Sequence, residues 1–346
     1  MPPLFDRPHR TVTLSLALQG GGAHGAFTWG VLDALLEDGY IVFDAVSGTS
    51  AGALNALLLA QGLADGGPEG ARAALQGFWH ALADSVPAHF TSAAQDGSDA
   101  GLSPFMQLML HWGHYLAPEQ LNPFDLNPLR ELLAERLDFE RLRKHSPVKL
   151  FIAATHAMSG KLRLFRNAEL SLEAALASTC LPQLHRAVEI DGEPYWDGGY
   201  AANPAVFPLF FEGRSADIML VLLTPLAHRS RPQSAAEIRA RSLEIAFSAS
   251  FMREMRMFAH LRQHLPRHWL GLGLGGLERR LRRARFHLIE AADVLGELRA
   301  DSKLAANLRF LERLKTLGRE RAQAWLLMHR EALGRRSTLD LDSLFY

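Results

Sequence analysis

The chain has 346 residues, 48% of them hydrophobic, and its 37 basic and 37 acidic side chains leave no net charge at neutral pH. That length and apolar content exclude a disordered chain, and a single cysteine, Cys180, excludes a small scaffold stapled by disulfides. The zero hides an asymmetry: from residue 226 onward 21 Arg and 2 Lys face 13 acidic residues, a net of +10, which leaves −10 for residues 1–225.

The opening MPPLFDRPHRTVTLSLAL places a proline pair and an acid ahead of its apolar run and does not read as a signal peptide. Further on, no apolar stretch reaches the roughly 18 residues that a membrane span requires. The expected location is the cytoplasm, with at most peripheral contact with a membrane. TVTLSLAL (11–18) has the β-branched and apolar mixture of a buried strand. After a glycine run, AFTWGVLDALLEDG (26–39) repeats apolar residues three and four apart and stops at Gly39, as a helix with a glycine cap does. YIVFDAVSG (40–48) reads as a second strand and SAGALNALLLAQGLA (50–64) as a second helix. Strand, helix, strand, helix at this spacing implies a parallel sheet with helices on its faces.

Residues 62–145 change character, with the loop-rich ADGGPEG and TSAAQDGSDAGLSP and the aromatic stretches FWHALADSVPAHF and PFMQLMLHWGHYL. They read as an insertion whose aromatics either pack onto the core or, over 84–116, form a lid for an acyl chain. The sheet pattern resumes at VKLFIAATHA (148–157), followed by a hairpin through MSGK into LRLFR, a small-residue helix SLEAALASTC (171–180) and a buried strand in ADIMLVLLTPL (216–226). From 234 on the chain reads as helical with few strand signals; GLGLGG (271–276) follows no strand and reads as a flexible connection. The basic run LERRLRRARF (277–286) reads as a solvated helix face or a contact for anionic lipid headgroups. No recognisable nucleic-acid module accompanies it, so nucleic acid is not an expected partner. Three roles stand open for the C-terminal arginines: anionic membrane, a cover for the sheet, or a homo-oligomer interface.

Three local patterns carry chemistry. Gly48-Thr49-Ser50-Ala51-Gly52 is a G-x-S-x-G run between a predicted strand and a predicted helix, where the tight turn needs flanking glycines and leaves Ser50 exposed at its tip. The following helix aims its positive end at that serine; read blandly, the same run is a capped strand-to-helix turn. A serine needs a base, and fifteen histidines are present, but none sits late in a glycine-flanked loop of the α/β-hydrolase kind. Asp197, in YWDGGYAANP, ends a short predicted strand before Gly198 and Gly199, where a carboxylate can approach another loop closely or simply serve a turn. Gly20-Gly21-Gly22-Ala23-His24-Gly25 fits both a dinucleotide fingerprint, with Asp44 near the expected acidic position, and an oxyanion hole built from backbone amides.

Taken together, LQGGGAHG, GTSAG and DGG, in that order and each at a strand end, resemble the patatin-like phospholipase family over roughly residues 12–225. The resemblance implies a three-layer α/β/α sandwich with a mostly parallel central sheet, a helical insertion or lid over about 62–145, and an Arg-rich helical region over 226–346 that packs on or extends it. It implies a serine hydrolase acting on acyl esters of lipids, without cofactor or metal. By position, Ser50 becomes the nucleophile, Asp197 the base, and Gly20, Gly21 and Gly22 the oxyanion hole, with Ala23, His24, Gly25, Gly48, Gly52, Gly198 and Gly199 supporting the motifs. The family often carries Arg or Lys where this chain has His24. A histidine there implies partial, pH-dependent contact with an anionic headgroup near its ordinary pKa of about 6.5, or no catalytic part at all.

Overall fold

Strand and helix alternate from the start: β1 (Val12–Leu18), helix α1 (Gly25–Asp38), β2 (Ile41–Thr49) and helix α2 (Ala51–Ser85). The structure is a computed structural model that describes residues 11–113, 118–123, 127–228, 231–265 and 275–346. α1 ends as predicted, on Gly39 in the left-handed conformation at φ 68°. α2 runs further than its sequence suggests. Gly66 and Gly67 leave helical geometry, and the helix restarts at Pro68, so ADGGPEG is a kink within a helix instead of the start of a loop. Beyond the kink Phe78 and Trp79 are fully buried, with Trp79 stacked on Trp29 and its Nε1 donating to Asn55 Oδ1 at 3.1 Å. Those aromatics belong to the core.

A small hairpin, β3 (Thr91–Ala93) with β4 (Ala100–Leu102), leads into the helix Pro104–Gly113, on which Phe105 and Leu108 stand exposed. Then come β5 (Lys149–His156), β6 (Leu162–Arg166), β7 (Val188–Ile190), β8 (Glu193–Asp197), β9 (Asp217–Val221) and β10 (Arg285–Ile289). The main sheet has the order β10-β9-β1-β2-β5-β8-β7, with β6 also on β5. The first five strands are parallel, and β6 and β8 run antiparallel to β5.

Alternation along the central strands sends side chains to two separate apolar clusters. Leu14, Leu16, Leu18, Met219 and Val221 join one with α1, α2 and the helix Leu308–His329; Ala17, Ile218, Leu220 and Leu222 join the other with the helix Ala235–Gln263. Helices therefore cover both faces, and the architecture is the expected three-layer α/β/α arrangement with a helical C-terminal region.

One expectation is corrected. The region after 234 contributes β10 to the sheet: RFHLI follows directly on the arginine-rich helix Gly276–Arg283, whose charge masks the strand pattern. GLGLGG lies outside the described residues as far as 274. The helix Leu308–His329 packs closely on α1, where Gly30 meets the Lys315 carbonyl and Gly318 the Phe27 carbonyl, contacts that no side chain would allow. The charge asymmetry finds much of its explanation here. Arg319 bridges Asp33 and Glu37, Arg330 pairs with Asp38 at 3.2 Å, and Arg285 pairs with buried Asp217 at 2.7 Å. No helix among the described residues is long and apolar enough to cross a membrane.

Candidate active site

The site stands at the C-terminal ends of β1 and β2 and at the end of β8. β2 must turn into α2 within one residue. A Cβ on Gly48 would lie 2.5 Å from the Gly52 carbonyl oxygen, and one on Gly52 would collide with the Leu18 carbonyl, so only glycine fits at either flank. Ser50 sits between them at φ 54°, ψ −124°, a left-handed conformation that a non-glycine residue holds at a cost of about 1–3 kcal/mol. Its carbonyl accepts the first α2 bonds, from Ala53 at 2.8 Å and Leu54 at 3.1 Å, and its amide donates to Ser178 Oγ at 3.0 Å.

Strand register brings the carboxylate to this serine. β6 occupies one edge of β5, and the other edge is shared: β2 pairs with β5 as far as Thr49 opposite Ala153, and β8 takes over with Asp197 opposite Ala154. Two residues about 150 apart in sequence thus end consecutive rungs of one ladder, and Ser50 comes near enough to the Asp197 carboxylate to pull its pKa down. Gly198 leaves this crossing open, since a Cβ there would meet the Ala153 carbonyl.

Asp197 is 1% exposed. Burial lifts its carboxyl from 3.8 to about 6, against the opposing pull of the Gly199 amide, at 2.7 Å from Oδ1, and of Ser50. Among the described residues no histidine bonds to it. Backbone bonds hold it in place, its amide donating to the Cys180 carbonyl at 2.7 Å and its carbonyl accepting from Thr155 Oγ1 at 2.8 Å.

Beneath the serine runs the glycine loop. A Cβ on Gly20 would come 2.7 Å from both Ser50 Cβ and the Thr49 carbonyl oxygen. The Gly20 amide is already engaged, donating to Asn203 Oδ1 at 2.7 Å. Of the three glycine amides expected to act as donors, those of Gly21 and Gly22 have no acceptor among the described residues. Asn203 went unnoticed in the sequence, although the Asn-Pro pair in YAANPAV is a turn signal. Its carbonyl accepts from Gln19 Nε2 at 3.3 Å, and Gln19 Oε1 in turn accepts from the Leu223 and Thr224 amides at 2.6 and 2.9 Å, which ties the loop to the end of β9.

Ala23 is buried, and the start of α1 lies against the start of α2, with a Cβ on Gly25 reaching to 2.6 Å from Ala51 Cβ. Two helix N-termini, each with a positive dipole end, consequently converge beside Ser50.

Of the two readings of His24, the structure argues against contact with a headgroup. Its ring is 2% exposed, lies edge-on to Phe310 and meets Ser302 Oγ at 2.7 Å through Nε2. Burial, assisted by Lys303, pushes its pKa down to about 3. It is neutral at physiological pH and faces the protein interior, so it cannot hold an anionic headgroup. Asp44, the acid a dinucleotide would need, is likewise elsewhere: it binds the Arg214 and Ser215 amides, before β9 begins, at 2.5 and 3.1 Å. Cys180 is buried with its Sγ directed at the Arg186 carbonyl, 3.0 Å away. Among the described residues no group of three or more His, Cys, Asp or Glu is arranged to hold a metal ion.

Comparison with known proteins gives one family match, to the model described as Patatin-like phospholipase, over residues 16–210. Among solved structures, VipD from Legionella pneumophila is similar at 16% identity and a TM-score of 0.42, over 92% of this chain and 67% of VipD. The ExoU–SpcU complex of the type III secretion system of Pseudomonas aeruginosa is similar at 18% identity and a TM-score of 0.28, over 97% of this chain and 74% of the matched one. No curated protein matches the chain.

Proposed function

The chain belongs to the patatin-like phospholipase family, and we propose that it hydrolyses carboxylic esters of phospholipids, lysophospholipids or related acyl lipids through a Ser50–Asp197 dyad. The observation that carries this reading is the shared edge of β5, which sets a strained serine beside a buried carboxylate whose pKa is raised to about 6.

In the first half-reaction Asp197 accepts the Ser50 proton while Oγ attacks the ester carbonyl carbon. The negative charge moves to the carbonyl oxygen, where the Gly21 and Gly22 amides and the two helix N-termini stabilise it; one such donor is worth about 3 kcal/mol. Collapse breaks the bond to the leaving alkoxide, which takes the proton from Asp197, and an acyl ester remains on Ser50. Water then gives a proton to Asp197 and attacks that ester; on collapse the proton returns to Ser50 Oγ and the fatty acid departs. A carboxylate at its ordinary pKa is a poor base for a serine hydroxyl, and burial raises its basicity without a third residue.

The test is hydrolysis of p-nitrophenyl acyl esters and of a mixed lipid panel read by mass spectrometry, with Ser50→Ala as the blank. Products released by wild type and absent from the blank, together with fluorophosphonate labelling on Ser50, support the proposal. Undiminished activity in Ser50→Ala or Asp197→Ala would remove the dyad.

A further inference from the structure

The family match ends at residue 210, yet the glycine loop is gripped from beyond residue 298. We propose that the segment 299–304 is a positioning element for the oxyanion amides of Gly21 and Gly22, and that it acts through the contact between Ser302 and His24. This rests on the hydrolase reading above and assigns that site a component from the C-terminal region.

Hydrogen-bond accounting fixes the direction of the contact. Ser302 Oγ lies 2.6 Å from the Arg299 carbonyl oxygen, an acceptor only, so the single hydroxyl proton goes there. The 2.7 Å approach of His24 Nε2 must then be a donation from the ring to Oγ. His24 is thereby held as one tautomer, with Nδ1 bare, buried and without a partner. Its backbone amide closes the turn onto the Gly21 carbonyl at 3.2 Å, so ring and loop move as one piece.

One residue further on, the Lys303 carbonyl rests against Gly22, at φ 58°, so closely that no side chain would fit. The segment is itself tied on two sides. Asp301 Oδ2 accepts from the Leu102 amide at 3.1 Å and from Gln107 Nε2 at 3.0 Å, next to the exposed helix Pro104–Gly113. Lys303 Nζ reaches Glu244 Oε1 at 3.4 Å, on the helix whose Phe247 covers Gly199 and packs on Tyr200, 4.6 Å between ring centres. A loop of three glycines has little stiffness of its own, and an oxyanion donor is effective only where it is already aimed. The stiffness here is supplied by a contact that spans 278 residues of sequence.

The experiment is a double-mutant cycle on the full chain with a soluble acyl ester. Ser302→Ala is expected to lower kcat and the rate of fluorophosphonate labelling of Ser50 together, by about tenfold to a hundredfold, with KM changed less than about twofold. In a His24→Leu background the same substitution is expected to change kcat by less than about twofold, because the contact is already gone. Wild-type kcat in Ser302→Ala, equal losses in both backgrounds, or a loss that follows only the fraction of unfolded protein would each overturn the proposal. Should Ser302→Ala fail to fold, Ser302→Cys, nearly isosteric and a poor acceptor, decides by the same comparisons. Failure of wild type itself to hydrolyse esters or label on Ser50 would instead overturn the hydrolase reading.

Discussion

Replacing Asp197 by asparagine separates catalysis from stability, because the two respond in opposite directions. The side chain is isosteric, and its Oδ1 can still accept from the Gly199 amide, now at 2.7 Å. What disappears is a negative charge at a position 1% exposed. Burial, offset in part by Gly199 and Ser50, raises this carboxyl from 3.8 to about 6, so the folded state binds the proton more tightly than the unfolded chain does. Wild-type stability therefore falls as pH rises from about 4 to about 6, by about 3 kcal/mol in all, and stays lowered above that. Asp197→Asn never carries the charge and escapes this loss. Urea unfolding should show the variant more stable than wild type by about 3 kcal/mol at pH 8, with the difference shrinking toward zero at pH 4. Its esterase activity should be lost at both, while wild-type kcat/KM should fall about tenfold for each pH unit below 6. A difference in stability that is absent at pH 8, or that does not change with pH, would refute the argument that the charge is held by force in a dry site. Activity within about tenfold of wild type would refute the role of the carboxylate as base.

Gly20→Ala should abolish esterase activity and destabilise by about 1–3 kcal/mol, measured by urea unfolding, since its Cβ would press on Ser50 Cβ and the Thr49 carbonyl. Asp217→Asn should cost about 3–5 kcal/mol, because it leaves Arg285 and His287 beside a site without charge. Burial alone would raise the Asp217 pKa, but hydrogen bonds from His287, Arg285 and the Gly334 amide hold it at about 2, so its contribution is present at pH 5 and is lost as pH falls from about 4 through 2, visible in acid unfolding. With its pKa at about 3, His24 should give no titration in the pH profile of kcat/KM between 5 and 8, and NMR of its ring should show the neutral Nε2–H form throughout.

Fold class and the tight turn at Ser50 were legible because each depends on neighbours in sequence. A buried strand, two glycines flanking a serine and an apolar helix leave few other geometries for residues Gly48 to Gly52. Asp197 stood open in the sequence between a partner for Ser50 and a turn aspartate before glycine; what brings it to Ser50 is the register of β5, and register is a property of the assembled sheet. The same limit hid Asn203 and Gln19, whose roles are bonds between segments about 180 residues apart. The choice between the two readings of His24 was closed to the sequence for a related reason, since Ser302 and Phe310, which bury its ring, arrive from about 280 residues further on. β10 was missed because its pattern follows four arginines within one helix, Arg279, Arg280, Arg282 and Arg283. The −10 and +10 halves, read as a surface property, largely describe one part of the molecule closing on another.

The helix Gly25–Asp38 is buried from Gly25 to Leu36 on every side, and part of that cover is the helix Leu308–His329. During synthesis, then, this helix is made about 280 residues before the one that shields it from water. Until the helix Leu308–His329 has been made, its Gly30 side is bare, and the acids Asp33 and Glu37 lack Arg319. Truncation before the helix Leu308–His329 leaves that side open and should produce insoluble protein instead of a smaller folded one.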